Sequence, residues 1–177
     1  RTSDMLLPKQ ALARKQRYIE RLTRDGFLLQ VPCGKSMWPM LRDRHDRFLV
    51  HPIQTAPKRY DVVVYLRPST GNMTVHRVVA LPKQDLYVIR GDNCYYTERD
   101  VTQADMIGVV CGFYRGQTYI PVTAPAYRFY VRCWVHTYPL RFVLHTVFYP
   151  PYHFLYRCFK YVRLHGYKHK TRKQQKK

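Results

Sequence analysis

Acidic residues are scarce in this chain and stop early. Its 177 residues hold 11 aspartates and glutamates against 31 lysines and arginines, a formal net charge of +20 at pH 7. The last carboxylate is Asp105, and every residue after it is neutral or basic. Such a surface repels cationic partners and attracts phosphate, either of nucleic acid or of anionic lipid headgroups. Long apolar runs are also missing. No stretch of about 18 consecutive apolar residues occurs, which excludes a conventional transmembrane helix. The first residues have no apolar core of the signal-peptide kind, and the chain begins at Arg1 rather than Met, which leaves room for an upstream segment. The five cysteines, Cys33, Cys94, Cys111, Cys133 and Cys158, are odd in number and scattered. With no CxxC or Cys/His ligand spacing, they support neither a zinc site nor a disulfide framework.

What is present divides into three parts. Residues 1–26 form an N-terminal segment in which KQALARKQRYIERLTRD, residues 9–25, has helical texture with Gly26 placed as a stop. Residues 27–122 change pattern. FLLQV, RFLVHPI, YDVVVYL, NMTVHRVVAL, LYVIRG and MIGVVCGFY are short runs of β-branched and aromatic residues, separated by Pro, Gly, Asn and Asp. The expectation is a mainly β, antiparallel domain. Residues 123–177 form a basic aromatic tail, in which Pro139 and Pro150-Pro151 break residues 127–167 into segments too short and too basic to span a bilayer. Helices of that composition either lie in a membrane interface, with rings such as Trp134 and Phe142 at headgroup level, or pack back on the β domain. The final KHKTRKQQKK is expected to be a solvated, disordered polybasic end.

Three short motifs stand in a fixed order: Ser36-Met37-Trp38-Pro39, His76-Arg77-Val78 and Gly91-Asp92-Asn93. Together they supply a hydroxyl, an imidazole and a carboxylate. A serine hydroxyl is a poor nucleophile until a neighbouring base accepts its proton, and histidine suits that task because its pKa lies near neutrality. A carboxylate fixes the imidazole tautomer and stabilises the imidazolium that forms. In these boxes, GKSMWPML, YDVVVYL, TVHRVVAL, VIRGDN and MIGVV, the chain resembles the signal-peptidase/LexA-like serine peptidase superfamily, on its type I signal peptidase side. The resemblance covers about residues 28–115. It implies a coiled antiparallel β architecture, Ser36 as nucleophile, His76 as base in place of the bacterial lysine, and Asp92 as the carboxylate of the Gly-Asp-Asn box. Glu98 and Asp100 compete with Asp92 for that third role. Arg77 reads as structural, paired with a carboxylate.

Two positions depart from the family's pattern. Gly34 stands where a small hydroxyl residue often helps form the oxyanion hole, so backbone N–H groups would carry that stabilisation alone. Lys35 stands where the family usually has glycine, and its side chain points away from that of its neighbour in extended backbone. Cys33, three residues before Ser36, lacks any motif that marks a nucleophile. The resulting expectation is a serine endopeptidase with a Ser-His mechanism, acting on an extended segment of a peptide or preprotein and associated peripherally with an anionic membrane surface. It needs no metal or organic cofactor, and its oligomeric state is not legible. The alternative is a catalytically inactive module of the same fold, held to anionic membrane or nucleic acid by its basic tail. Residues 1–26 are too short for a helix-turn-helix domain, which counts against a repressor-like role.

Overall fold

The computed structural model describes residues 9–147. The predicted amphipathic segment forms helix α1, Lys9–Asp25. Gly26 ends it with φ of +76°, a left-handed conformation that glycine adopts without steric cost, and its N–H closes the last turn on Leu22 O at 3.0 Å. Eight strands follow: β1 Leu28–Gln30, β2 Arg47–His51, β3 Val62–Leu66, β4 Met73–Lys83, β5 Leu86–Arg90, β6 Glu98–Thr102, β7 Met106–Arg115 and β8 Thr118–Pro121. They form one sheet in the order β1-β2-β7-β3-β4-β5-β6, with β8 also paired to β7. Among the described residues every pairing is antiparallel and the sheet does not close. The expected antiparallel β domain with a short N-terminal helix is therefore present.

Strand β3 explains why the sheet has two cores. Its five residues are all buried, so VVVYL reads as a continuous apolar run rather than an alternation. Successive side chains point to opposite faces. Val62 and Val64 join a large cluster with Leu22 of α1, Met37, Met40, Val50, Val110 and Phe113. Val63 and Tyr65 join a smaller one with Val78, Ile89, Val101 and Met106. The same alternation in β4 sends His76 and Arg77 to opposite faces, which decides the site described below.

Helix α2, Pro125–His136, opens the aromatic run. Tyr127, Val131 and Val135 stand four residues apart on one stripe and are buried in the large cluster. This part of the run packs on the β unit. Trp134 does the same: its indole N–H donates to Asp92 O at 2.9 Å and its ring stacks on Tyr130. Of the two arrangements open to this aromatic run, packing on the β domain is the one seen for Trp134, which is half-buried there. Contacts divide the chain after Val135 into two compact units. In the second, residues 138–147 are helical, with Arg141 N donating to Thr137 O at 3.0 Å and Tyr138 against Phe142. Pro150-Pro151, Cys158 and the polybasic end lie outside the described residues.

Candidate active site

The loop after β1 carries the Ser-Met-Trp-Pro box. It turns tightly, with Trp38 N donating to Lys35 O at 3.2 Å and Leu41 N to Met37 O at 2.9 Å. Met37, Met40 and Leu41 are buried and tie the loop to the large core, while Ser36 stays partly exposed. Gly34 N–H is committed to Asp43 Oδ1 at 2.8 Å. Among the described residues the N–H groups of Ser36 and Met37 have no acceptor. They are the donors free to meet an oxyanion formed beside Ser36.

The Gly91-Asp92-Asn93 turn clamps this loop from the other side. Asn93 N donates to Ser36 O at 2.8 Å and Asn93 Nδ2 to Lys35 O at 3.2 Å. Glycine is required at 91 by close approach. A Cβ there would lie 2.7 Å from Ser36 O, 2.7 Å from Cys94 Sγ and 2.9 Å from His76 Nε2. The serine backbone, the thiol and the ring nitrogen therefore crowd around a gap too small for a methyl group.

His76 sits in β4 opposite Val63 of β3 and is only 1% exposed. Its Nδ1 lies 3.1 Å from Glu98 Oε1 and 3.1 Å from Tyr65 Oη. Glu98, at the start of β6, is gripped by Arg67 through Nε to Oε2 at 2.9 Å and Nη2 to Oε1 at 2.8 Å. Burial pushes the Glu98 carboxyl up, but hydrogen bonds from His76, Arg67 and Tyr65 more than offset it, and its pKa falls to about 2. An ionised carboxylate can only accept, so Nδ1 carries the proton and Nε2 is left as the acceptor, close to Gly91 and near the Ser36 backbone carbonyl. Burial also works against the imidazolium, yet the hydrogen bonds to Cys94 and Glu98 outweigh it, leaving the His76 pKa raised above its ordinary value.

Asp92 occupies a different place from the one expected. It grips Arg77, with Nε to Oδ1 at 2.7 Å and Nη2 to Oδ2 at 2.6 Å, and both side chains are buried. Arg77 also donates to Tyr60 O at 2.9 Å and to Tyr127 Oη at 3.1 Å. The expectation that Asp92 orients the imidazole is corrected: the carboxylate on His76 is that of Glu98. The physical reason is strand alternation, since Arg77 faces the large core and Asp92 follows it there. Arg77 is structural, as expected. Asp100 is exposed and has no partner among the described residues.

Ser36 and His76 line one open groove of about 450 Å³, together with Val31, Cys33, Arg67 and Tyr96. The Ser36 hydroxyl makes no hydrogen bond among the described residues. Lys35 lines a separate groove with Trp38, Arg42 and Asn93, away from the imidazole. No cluster of His, Cys, Asp and Glu suited to a metal ion occurs among the described residues. Tyr65, Arg67 and Cys94 belong to the site and carried no motif of their own; only the spacing of Tyr65 and Arg67 about the β3–β4 hairpin hinted that they share an end of the sheet with His76. No protein-family model matches the chain, and no curated protein matches it.

Proposed function

We propose that the chain is a serine endopeptidase of the signal-peptidase-like type, cutting an extended peptide segment at a membrane surface. One observation carries this reading: a buried imidazole, its tautomer fixed by Glu98, presents Nε2 to the clamped Ser36 loop. Ser36 Oγ attacks the scissile carbonyl as its proton passes to His76 Nε2. Glu98 stabilises the imidazolium, and the Ser36 and Met37 N–H groups receive the oxyanion. The imidazolium then protonates the leaving amine, and water hydrolyses the ester by the reverse path. In this reading the open eight-stranded sheet is the coiled β architecture of that superfamily.

The raised His76 pKa sets a pH dependence. kcat/KM should rise with pH and level off only above the ordinary imidazole range, because the neutral ring is the base. Glu98→Gln removes the charge that supports the imidazolium, so the rising limb should move to lower pH and the plateau should fall by about a hundredfold or more. A limb that stays in place would show that Glu98 does not act through His76. Stability follows the same groups. The raised His76 pKa adds stability that is present below 6.5 and lost as pH rises through its folded value. The lowered Glu98 pKa adds stability that is present above 4.5 and lost as pH falls toward 2.

Membrane association rests on charge and exposed apolar side chains. The net charge is +20, and Phe129, Leu140, Phe142, Leu144 and Val147 are exposed. Among the described residues no helix is long and apolar enough to cross a membrane. Each Lys or Arg near an anionic leaflet contributes about 1 kcal/mol, and buried rings add a part that salt does not screen. The full chain should float with vesicles containing phosphatidylglycerol and remain bound at moderate salt. Binding to nucleic acid but not to vesicles, lost steeply with salt, would favour the inactive binding module instead.

A further inference from the structure

The peptidase chemistry leaves one nucleophile beside the base unused. Cys94 is partly buried, its Sγ lies 4.0 Å from Ser36 O, and it shares the gap over Gly91 with His76 Nε2. The thiol sulfur and the imidazole Nε2 both lie within 3 Å of the point a Cβ on Gly91 would occupy, at 2.7 and 2.9 Å, so the two groups are neighbours. Since Glu98 holds Nδ1 at 3.1 Å, thiol, imidazole and carboxylate form a relay that ends at sulfur. Such a relay is the arrangement that activates a cysteine, because the imidazole takes the thiol proton as the sulfur attacks.

We propose that Cys94 is a reactive thiol that exchanges with small disulfides and thereby carries a reversible mixed disulfide at the site. In the exchange, His76 Nε2 takes the Cys94 proton and Sγ attacks one sulfur of the small disulfide. The incoming S–S bond breaks, a new one forms to Cys94, and the departing thiolate takes the proton back from His76. The small disulfide is the only oxidant required. The gap over Gly91 has no room for even a methyl group, so the adduct points away from Gly91. The exchange rests on the same His76–Glu98 pair as the proposed peptidase but needs no peptide cleavage.

Accessibility alone predicts a different order of reactivity. Cys33 and Cys133 are exposed, whereas Cys94 is not. Cys33 has no hydrogen-bonding partner among the described residues. The full chain is treated with glutathione disulfide at pH 7, quenched with acid at intervals, and each cysteine is mapped by mass spectrometry. The expected result is that Cys94 acquires glutathione faster than Cys33. His76→Asn should slow Cys94 by about tenfold or more and leave Cys33 unchanged, and Glu98→Gln should slow Cys94 in the same sense. Wild-type Cys94 reacting no faster than Cys33, a comparison that needs no variant, would overturn the proposal. So would a Cys94 rate that His76→Asn leaves unchanged. Because labelling is read without any peptide substrate, failure of cleavage and failure of exchange are separate results.

Discussion

Ser36→Ala is expected to lower kcat/KM for peptide cleavage by about a thousandfold or more while leaving the thermal midpoint where it was. The hydroxyl makes no hydrogen bond among the described residues, and the loop is held by Met37, Met40, Leu41 and the Asn93 clamp. Its removal therefore takes away the nucleophile without opening a cavity. His76→Ala should give a comparable loss of activity, since nucleophile and base act as a unit. His76→Lys should retain a trace, in line with the lysine base that the resemblance implies for the bacterial branch. The measurement is cleavage of a peptide library in the presence of anionic vesicles, with a melting curve for each variant. Ser36→Ala cleaving at the wild-type rate would place the nucleophile elsewhere.

The second large effect is on stability. Asp92→Ala should destabilise the protein by about 3–5 kcal/mol, because it leaves the Arg77 guanidinium buried without its carboxylate. The damage should spread to Ser36, since Asp92 and Asn93 set the turn that clamps the serine loop. Urea unfolding measures the loss. The contrast with Glu98→Gln is the informative part. If Asp92 oriented the imidazole, its replacement would suppress cleavage at little cost in stability; an Asp92 variant as stable as wild type would contradict the buried pair with Arg77. Replacing Arg77 and Asp92 together by apolar residues should recover part of the lost stability, as removal of both partners leaves no uncompensated charge.

The fold was legible where periodicity is strong. The helix over residues 9–25 declares itself by composition and by the Gly26 stop, and the short β-branched runs separated by turn residues mark the strands. Ser36 and His76 stand out through their motifs, and both line the groove. The carboxylate was harder to choose. Asp92, Glu98 and Asp100 are all near in sequence, and the choice among them depends on which sheet face each side chain reaches. One residue of register separates His76 from Arg77, and that difference sends Asp92 to the large core and Glu98 to the imidazole. Composition also left the place of Trp134 open. A basic aromatic helix looks the same whether its rings meet lipid or a β-sheet, and the bond from Trp134 to Asp92 O spans 42 positions in sequence. Cys94 shows the same limit, because a cysteine after a Gly-Asp-Asn turn says nothing of an imidazole that arrives from another strand.

The central claim is that Ser36 is the residue that attacks the substrate, although the Cys94 thiol lies beside the same imidazole. Mass mapping of the acyl-enzyme tests it most directly. Enzyme turning over a peptide library is quenched in acid within a turnover, digested and mapped for the retained N-terminal fragment. An ester on Ser36 is the result this account predicts; a thioester on Cys94 would contradict it.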